Sequence, residues 1–131
     1  MKSAIQTIGT RKQAIARVSL KPGKGNVTVN GKALEYYADR LSSARIIEPL
    51  LIASEIAQKV DISIKVNGGG VNGQADAMRL AIARALVQFD AKLKKPFMDY
   101  DRLLLVADVR QNESCKPNDS KPRAKRQKSY R

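Results

Sequence analysis

The stretch Asp61 to Asp90, DISIKVNGGGVNGQADAMRLAIARALVQFD, decides the fold. Its opening residues alternate, with Ile62, Ile64 and Val66 on one side and Ser63, Lys65 and Asn67 on the other. A period of two is that of a half-buried strand. Gly68-Gly69-Gly70 ends it, because three consecutive glycines give up too much backbone freedom in any regular element. The apolar period then becomes that of a helix ending near Asp90. Ala75, Met78, Ile82, Ala85, Leu86 and Phe89 fall within one stripe about 100° wide. Leu80 and Val87 form a second ridge, so the helix is predicted to be buried on more than one face. Alanines at 75, 77, 81, 83 and 85 raise helix propensity and allow close approach to a sheet. This is the predicted central helix, packed on the strand before it.

Upstream, Ser3 to Thr10 (SAIQTIGT) alternates weakly and reads as a first strand. Gly9 to Lys12 is a basic turn, and Ala14 to Leu20 (AIARVSL) a second strand. Lys21-Pro22-Gly23-Lys24-Gly25 is a turn by composition, since proline presets φ and glycine permits positive φ. Asn26 to Asn30 (NVTVN) is a third strand, expected to form a hairpin with the second. Asn30-Gly31 is a further turn signal. A short helical piece is expected from Lys32 to Asp39. A longer helix is expected from Ala44 to about Lys59, capped by Ser42-Ser43, with Ile46, Ile47, Leu50, Leu51 and Ile56 inward. Pro49 predicts an early kink or a start nearer Glu48. Beyond the central helix, Ala91 to Met98 reads as a helical turn broken by Pro96. Arg102 to Ala107 (RLLLVA) either closes the sheet or packs across it.

A chain of 131 residues is expected to form one domain with a single core. Its 25 Lys and Arg against 12 Asp and Glu give a formal charge of +13. Such an excess repels itself in a compact state and points to a polyanionic partner. No apolar run approaches the roughly 20 residues that span a bilayer, so no membrane role is expected. The start, MKSAIQTIGTRK, lacks the apolar core of a secretory signal. Cys115 is the sole cysteine, which precludes an internal disulfide and fits a reducing, cytoplasmic setting. One Cys and no His also exclude a zinc finger.

Composition changes after Asp108. From Arg110 to Arg131 there are eight Lys or Arg and two acids, and Tyr130 is the only large apolar side chain. Such a segment buries too little to fold alone. The chain is expected to divide into a compact domain, residues 1–108, and an extended basic tail, residues 109–131, ordered only on a partner, which the basic set below makes RNA.

Gly68, Gly69, Gly70 and Gly73 read as structural glycines in a tight strand-to-helix connection. The same helix N-terminus suits a phosphate, but neither G-x-x-x-x-G-K-[ST] nor a GxGxxG fingerprint is present. An enzyme using nucleotide phosphate is thus an alternative with little behind it. With no His, no catalytic set and no metal or cofactor site is expected. Asp61, Asp76, Asp99, Asp101 and Asp108 read as turn caps or partners of nearby cations. The strong signal is the basic set. Arg11, Lys12, Arg17 and Lys21 lie on the first strands and turns. Arg79 and Arg84 lie on the central helix. Lys116, Lys121, Arg123, Lys125 and Arg126 lie in the tail. Cations spread over several elements fit the phosphates of RNA better than an acidic protein.

Four separated motifs carry a resemblance. They are G-T-R-K-x-A-x-A-R-V at Gly9 to Val18, I-x-E-P-L-L at Ile46 to Leu51, G-G-G-x-x-G-Q-A-D-A-x-R-x-A-I-A-R-A-L at Gly68 to Leu86, and Q-K-S-Y-R at Gln127 to Arg131. In this order the chain resembles the small-subunit ribosomal protein nine family, in its archaeal and eukaryotic-type branch. The resemblance implies an α/β (α+β) fold, a mainly four-stranded sheet with helices packed on one face. That fold is shared with the second domain of ribosomal protein five. It implies a non-enzymatic constituent of the ribosome in the cytoplasm, bound to rRNA and neighbouring proteins in the subunit head. It also implies a tail reaching the peptidyl-site tRNA with Lys128, Tyr130 and Arg131. One departure is visible. Cys115 stands where the branch has lysine, and Asn118 and Asp119 where it has glycines. A general RNA-binding or chaperone protein outside the ribosome is the alternative.

Overall fold

A computed structural model describes residues 3–37, 39–119, 121–123, 129 and 130. The strands are β1 (Ile5–Arg11), β2 (Ala14–Pro22), β3 (Val27–Val29), β4 (Lys32–Ala33) and β5 (Val60–Asn67). The helices are α1 (Arg40–Ile52), α2 (Ser54–Ala57), α3 (Val71–Phe89) and α4 (Lys94–Tyr100). The strands form one sheet in the order β1-β2-β5-β3-β4. The mainly four-stranded sheet expected has a fifth member, the two-residue β4.

The alternation read in β5 holds. Val60, Ile62, Ile64 and Val66 are buried, while Ser63, Lys65 and Asn67 are exposed. On the covered face lies α3, with Ala75, Ala77, Met78, Ala81, Ile82, Ala83, Ala85 and Leu86 buried. Leu80 is buried too, so the helix is covered on more than one side, the second by α1. Its approach to the sheet is set at Gly9, where an added Cβ would lie 2.2 Å from the Ala77 carbonyl oxygen and 2.7 Å from the Ala81 nitrogen. The buried Thr7 hydroxyl donates to the Ala81 carbonyl at 2.8 Å, so this polar side chain between sheet and helix is satisfied.

Several expectations change. The third strand does not pair with β2. It pairs in parallel with β5, which lies between them. The turn after β2 is held by β5 itself. Gly23 and Gly25 N–H groups donate to the carbonyls of Lys59 and Val60, and the Asp61 carboxylate accepts from the Lys24 and Asn26 N–H groups. These bonds hold the turn against the start of β5, which therefore lies between β2 and β3. Asn30 and Gly31, with φ of 50° and 82°, instead turn β3 into β4, as a two-residue type I′ loop requires. The Asn30 amide continues the ladder by bonding both N–H and C=O of Val66.

The helical piece expected at 32–39 shrinks to a 3-10 turn, Leu34–Tyr36. Helix α1 starts earlier than expected because Asp39, not the serine pair, caps it by accepting from the Ser42 N–H. Pro49 is tolerated inside α1, but the helix ends three residues later and α2 follows separately. Pro96 does not break the downstream turn. It lies in the first turn of α4, where a missing N–H costs nothing. Arg102–Leu104 packs across the core as a 3-10 turn with Leu104 fully buried. No helix among the described residues is long and apolar enough to cross a membrane.

Candidate nucleic-acid interface

The basic side chains divide into two sets by what they touch. Three arginines singled out in the sequence are engaged by other groups of the protein. Arg84 donates to the carbonyls of Leu105 at 3.2 Å and Ile8 at 2.9 Å, tying α3 to the edge strand and to the chain beyond α4. Arg79, only 13% exposed, donates to Glu48 of α1 and to Asp101 after α4. Arg11 donates to the Arg110 carbonyl at 2.8 Å and pairs with Asp108 at 3.5 Å. These contacts join one quoted motif to another. The Glu of I-x-E-P and the first arginine of the glycine motif are a single ion pair.

Asp61, Asp76, Asp101 and Asp108 behave as partners and caps, while Asp99 is exposed. Asp108 takes a fork from Arg110 and faces Arg11, and these contacts hold its carboxyl far below the usual carboxylate range. Asp61 is lowered by the Asn26 and Lys24 N–H groups it accepts from. Asp101 is lowered first by the Leu103 N–H, then by Arg79. Asp76 pairs with Arg45. A groove of about 310 Å³ sets Arg11, Arg45, Arg79 and Arg110 against Glu48, Asp76 and Asp108, and each of these arginines is paired with one of the three acids. Among the described residues no cluster of His, Cys, Asp or Glu is placed to hold a metal.

The second set faces outward. Lys12 occupies the tip of the β1–β2 loop with φ of 54°, a left-handed conformation that costs a lysine energy and that concentrates at functional positions. Beside it, Arg11, Lys12 and Gln13 face Gly69 to Gly73 across a cleft of about 470 Å³, with Gln111 and Asn112 of the tail as its third wall. The N-terminus of the 19-residue α3 opens into that cleft and carries no side-chain cap. Unused N–H groups and the helix dipole there attract an anion. Arg17 and Lys21 are exposed on β2.

The glycines divide as well. Gly68 and Gly69 have φ of 76° and 64°, and a Cβ at either would meet the Gln13–Ala14 backbone at 2.5–3.0 Å. Gly70 has φ of −98° and open space around it, and Gly73 has ordinary contacts. The backbone requirement for glycine is thus confined to Gly68 and Gly69.

In the tail, Glu113 pairs with both Arg123 at 2.8 Å and Lys116 at 3.4 Å. Between them the Asp119 N–H donates to the Lys116 carbonyl, with Pro117 and Asn118 at the centre of the turn and Asn118 at φ 63°. That is the arrangement of a type II turn, in which asparagine is the best substitute for glycine. Lys121, Cys115 and Tyr130 are exposed. Lys125, Arg126, Lys128 and Arg131, also singled out in the sequence, lie outside the described residues. The sequence reading left out Lys65. Its alternation in β5 already put it on the polar side, opposite Arg17 in the register.

A model of the family described as ribosomal protein S9/S16 matches residues 9–131. The chain is 52% identical over 127 residues to the small ribosomal subunit protein uS9 of Thermoplasma acidophilum, covering 95% of this chain and 98% of that one. It is 44% identical over 131 residues to the small ribosomal subunit protein uS9 of Methanococcus maripaludis strain C7, covering 97% and 98%. Motifs whose charged residues lock the domain together, and a match along nearly its whole length, place this chain in the ribosomal protein S9/S16 family, a family of structural, non-enzymatic constituents of the small ribosomal subunit.

Proposed function

We propose that the domain, residues 1–108, binds rRNA in the head of the small subunit, beside neighbouring ribosomal proteins in the cytoplasm. The tail, residues 109–131, extends along RNA, and its last residues reach the peptidyl-site tRNA. The observation that carries the first part is the cleft between the Lys12 loop and the uncapped N-terminus of α3. A lysine held in a left-handed conformation beside unused N–H groups suits a backbone phosphate. Lys121 and the tail cations add phosphate contacts, and Arg17 and Lys21 add others from the exposed side of β2. Arg11, Arg79 and Arg84 serve RNA chiefly by fixing the surfaces that meet it.

Lys12→Ala tests this. It should lower incorporation into subunits and reduce the salt dependence of rRNA binding by about one phosphate contact. Unchanged incorporation with an unchanged slope would remove the cleft from the interface. For the tail, deletion of Lys128 to Arg131 should leave assembly intact. It should speed tRNA dissociation from the peptidyl site, by about 1–3 kcal/mol for one or two lost charge-assisted contacts. Equal off-rates at several salt concentrations would make the tail end an rRNA anchor instead. A protein acting outside the ribosome would leave small subunits in a high-salt wash; this one should sediment with them.

A further inference from the structure

The face of the sheet opposite the helices is bare. Along the register, Ile8, Arg17 and Lys65 form one row across β1, β2 and β5, and Gln6, Ser19 and Ser63 form the next. Ile8 is 53% exposed, and Arg17 and Lys65 are exposed beside it. Arg17 and Lys65 are directly opposed, with strands roughly 4.8 Å apart. Like charges in that position are destabilising in the free protein. Nothing among the described residues offsets them, since neither makes an ion pair there. The sole carboxylate of these three strands, Asp61, is turned to the Lys24 and Asn26 N–H groups. Two opposed cations on a face without a free acid call for an anion.

We propose that this open face is a second RNA-docking surface, taking the sugar–phosphate backbone of double-stranded RNA. The proposal rests on the rRNA-binding reading above and adds a surface separate from the Lys12 cleft. Arg17 and Lys65 hold phosphates, the hydroxyls of Ser19 and Ser63 meet 2′-hydroxyls, and Ile8 packs on ribose. A duplex fits because β1, β2 and β5 carry no aromatic residue. Sheets that bind single strands stack bases on exposed aromatic rings, and this one has none to offer. Recognition here follows shape and charge, not sequence.

The test uses the full chain and small-subunit rRNA. Arg17→Ala combined with Lys65→Ala should weaken binding about tenfold to a hundredfold and lower the salt slope by about two contacts. Its melting temperature should stay level or rise, because the opposed charges are gone. A hydroxyl-radical probe tethered at Ile8→Cys, in a Cys115→Ser background, should cut both strands of an rRNA helix. Cuts confined to single-stranded rRNA would overturn the duplex assignment. A double variant with unchanged RNA affinity but lost incorporation would overturn the proposal and give the face to a protein neighbour. Failure of the wild type to bind small-subunit rRNA at all would strike the underlying reading, and is scored separately on the unmodified chain.

Discussion

Arg84 and Arg17 are the same residue type on adjoining parts of one small domain, and they do opposite work. Arg84 faces the crowded side, where its guanidinium joins two backbone carbonyls from separate segments. Arg17 faces the bare side, opposite another cation. The difference teaches that a charge excess of +13 is not a single reservoir for RNA. Part of it is structural, fixed by fork-shaped donors that lysine does not imitate. The remainder repels itself until an anion arrives.

The comparison breaks most severely if the crowded side is pried open. Gly9→Val places a branched side chain where even a Cβ meets the α3 backbone. Expected destabilisation is about 3 kcal/mol or more, seen in thermal melting of the free protein. A wild-type melting curve would mean that α3 does not ride on Gly9. Next, Arg84→Ala should cost about 1.5–3 kcal/mol, because two carbonyls lose a charged donor. Arg17→Ala should change stability by no more than about 0.5 kcal/mol while weakening RNA binding. If both variants lose equal stability, the two sets are not distinct.

Gly69→Ala should destabilise by about 1–2 kcal/mol, through its positive φ and the close Ala14 backbone. Gly70→Ala should lie within about 0.5 kcal/mol of wild type, since its φ is ordinary and its surroundings empty. Equal losses at both positions would show that the loop is constrained as a block.

The smallest effect concerns pH. Asp108 has a folded pKa below its unfolded value of 3.8. Its contribution is therefore complete above the ordinary carboxylate range and is lost as pH falls through the folded value. The melting difference between wild type and Asp108→Asn should be constant from about pH 7 to pH 5 and shrink below about pH 4. A difference that vanishes by pH 5 would mean Arg110 and Arg11 do not hold this carboxylate.

What was legible in the sequence was whatever has a period. The β5 alternation and the α3 stripe gave the inward faces of those two elements nearly residue by residue, because side-chain direction follows directly from backbone geometry. Pairing was less legible. The β2–β3 hairpin seemed natural from a short glycine turn, but the Asp61 carboxylate and the Lys59 and Val60 carbonyls bind that turn to β5. Those are long-range bonds that no local pattern encodes. Likewise, Arg79 and Arg84 read as surface cations because their acceptors lie 21 to 76 residues away. Lys65 was legible in principle, once β5 was recognised as lying beside β2.

The ion pair between Glu113 and Arg123 acts on the tail as a knot acts on a measuring tape. Residues 110–131 drawn straight would reach about 70 Å at roughly 3.3 Å per residue. Closing the ten-residue interval between the pair takes on the order of 25 Å out of that length. The distance at which the terminus arrives is then decided by a competition for one guanidinium. On the function proposed above, each phosphate that draws Arg123 away from Glu113 would let the chain out further, and bound RNA would set the range of the tail.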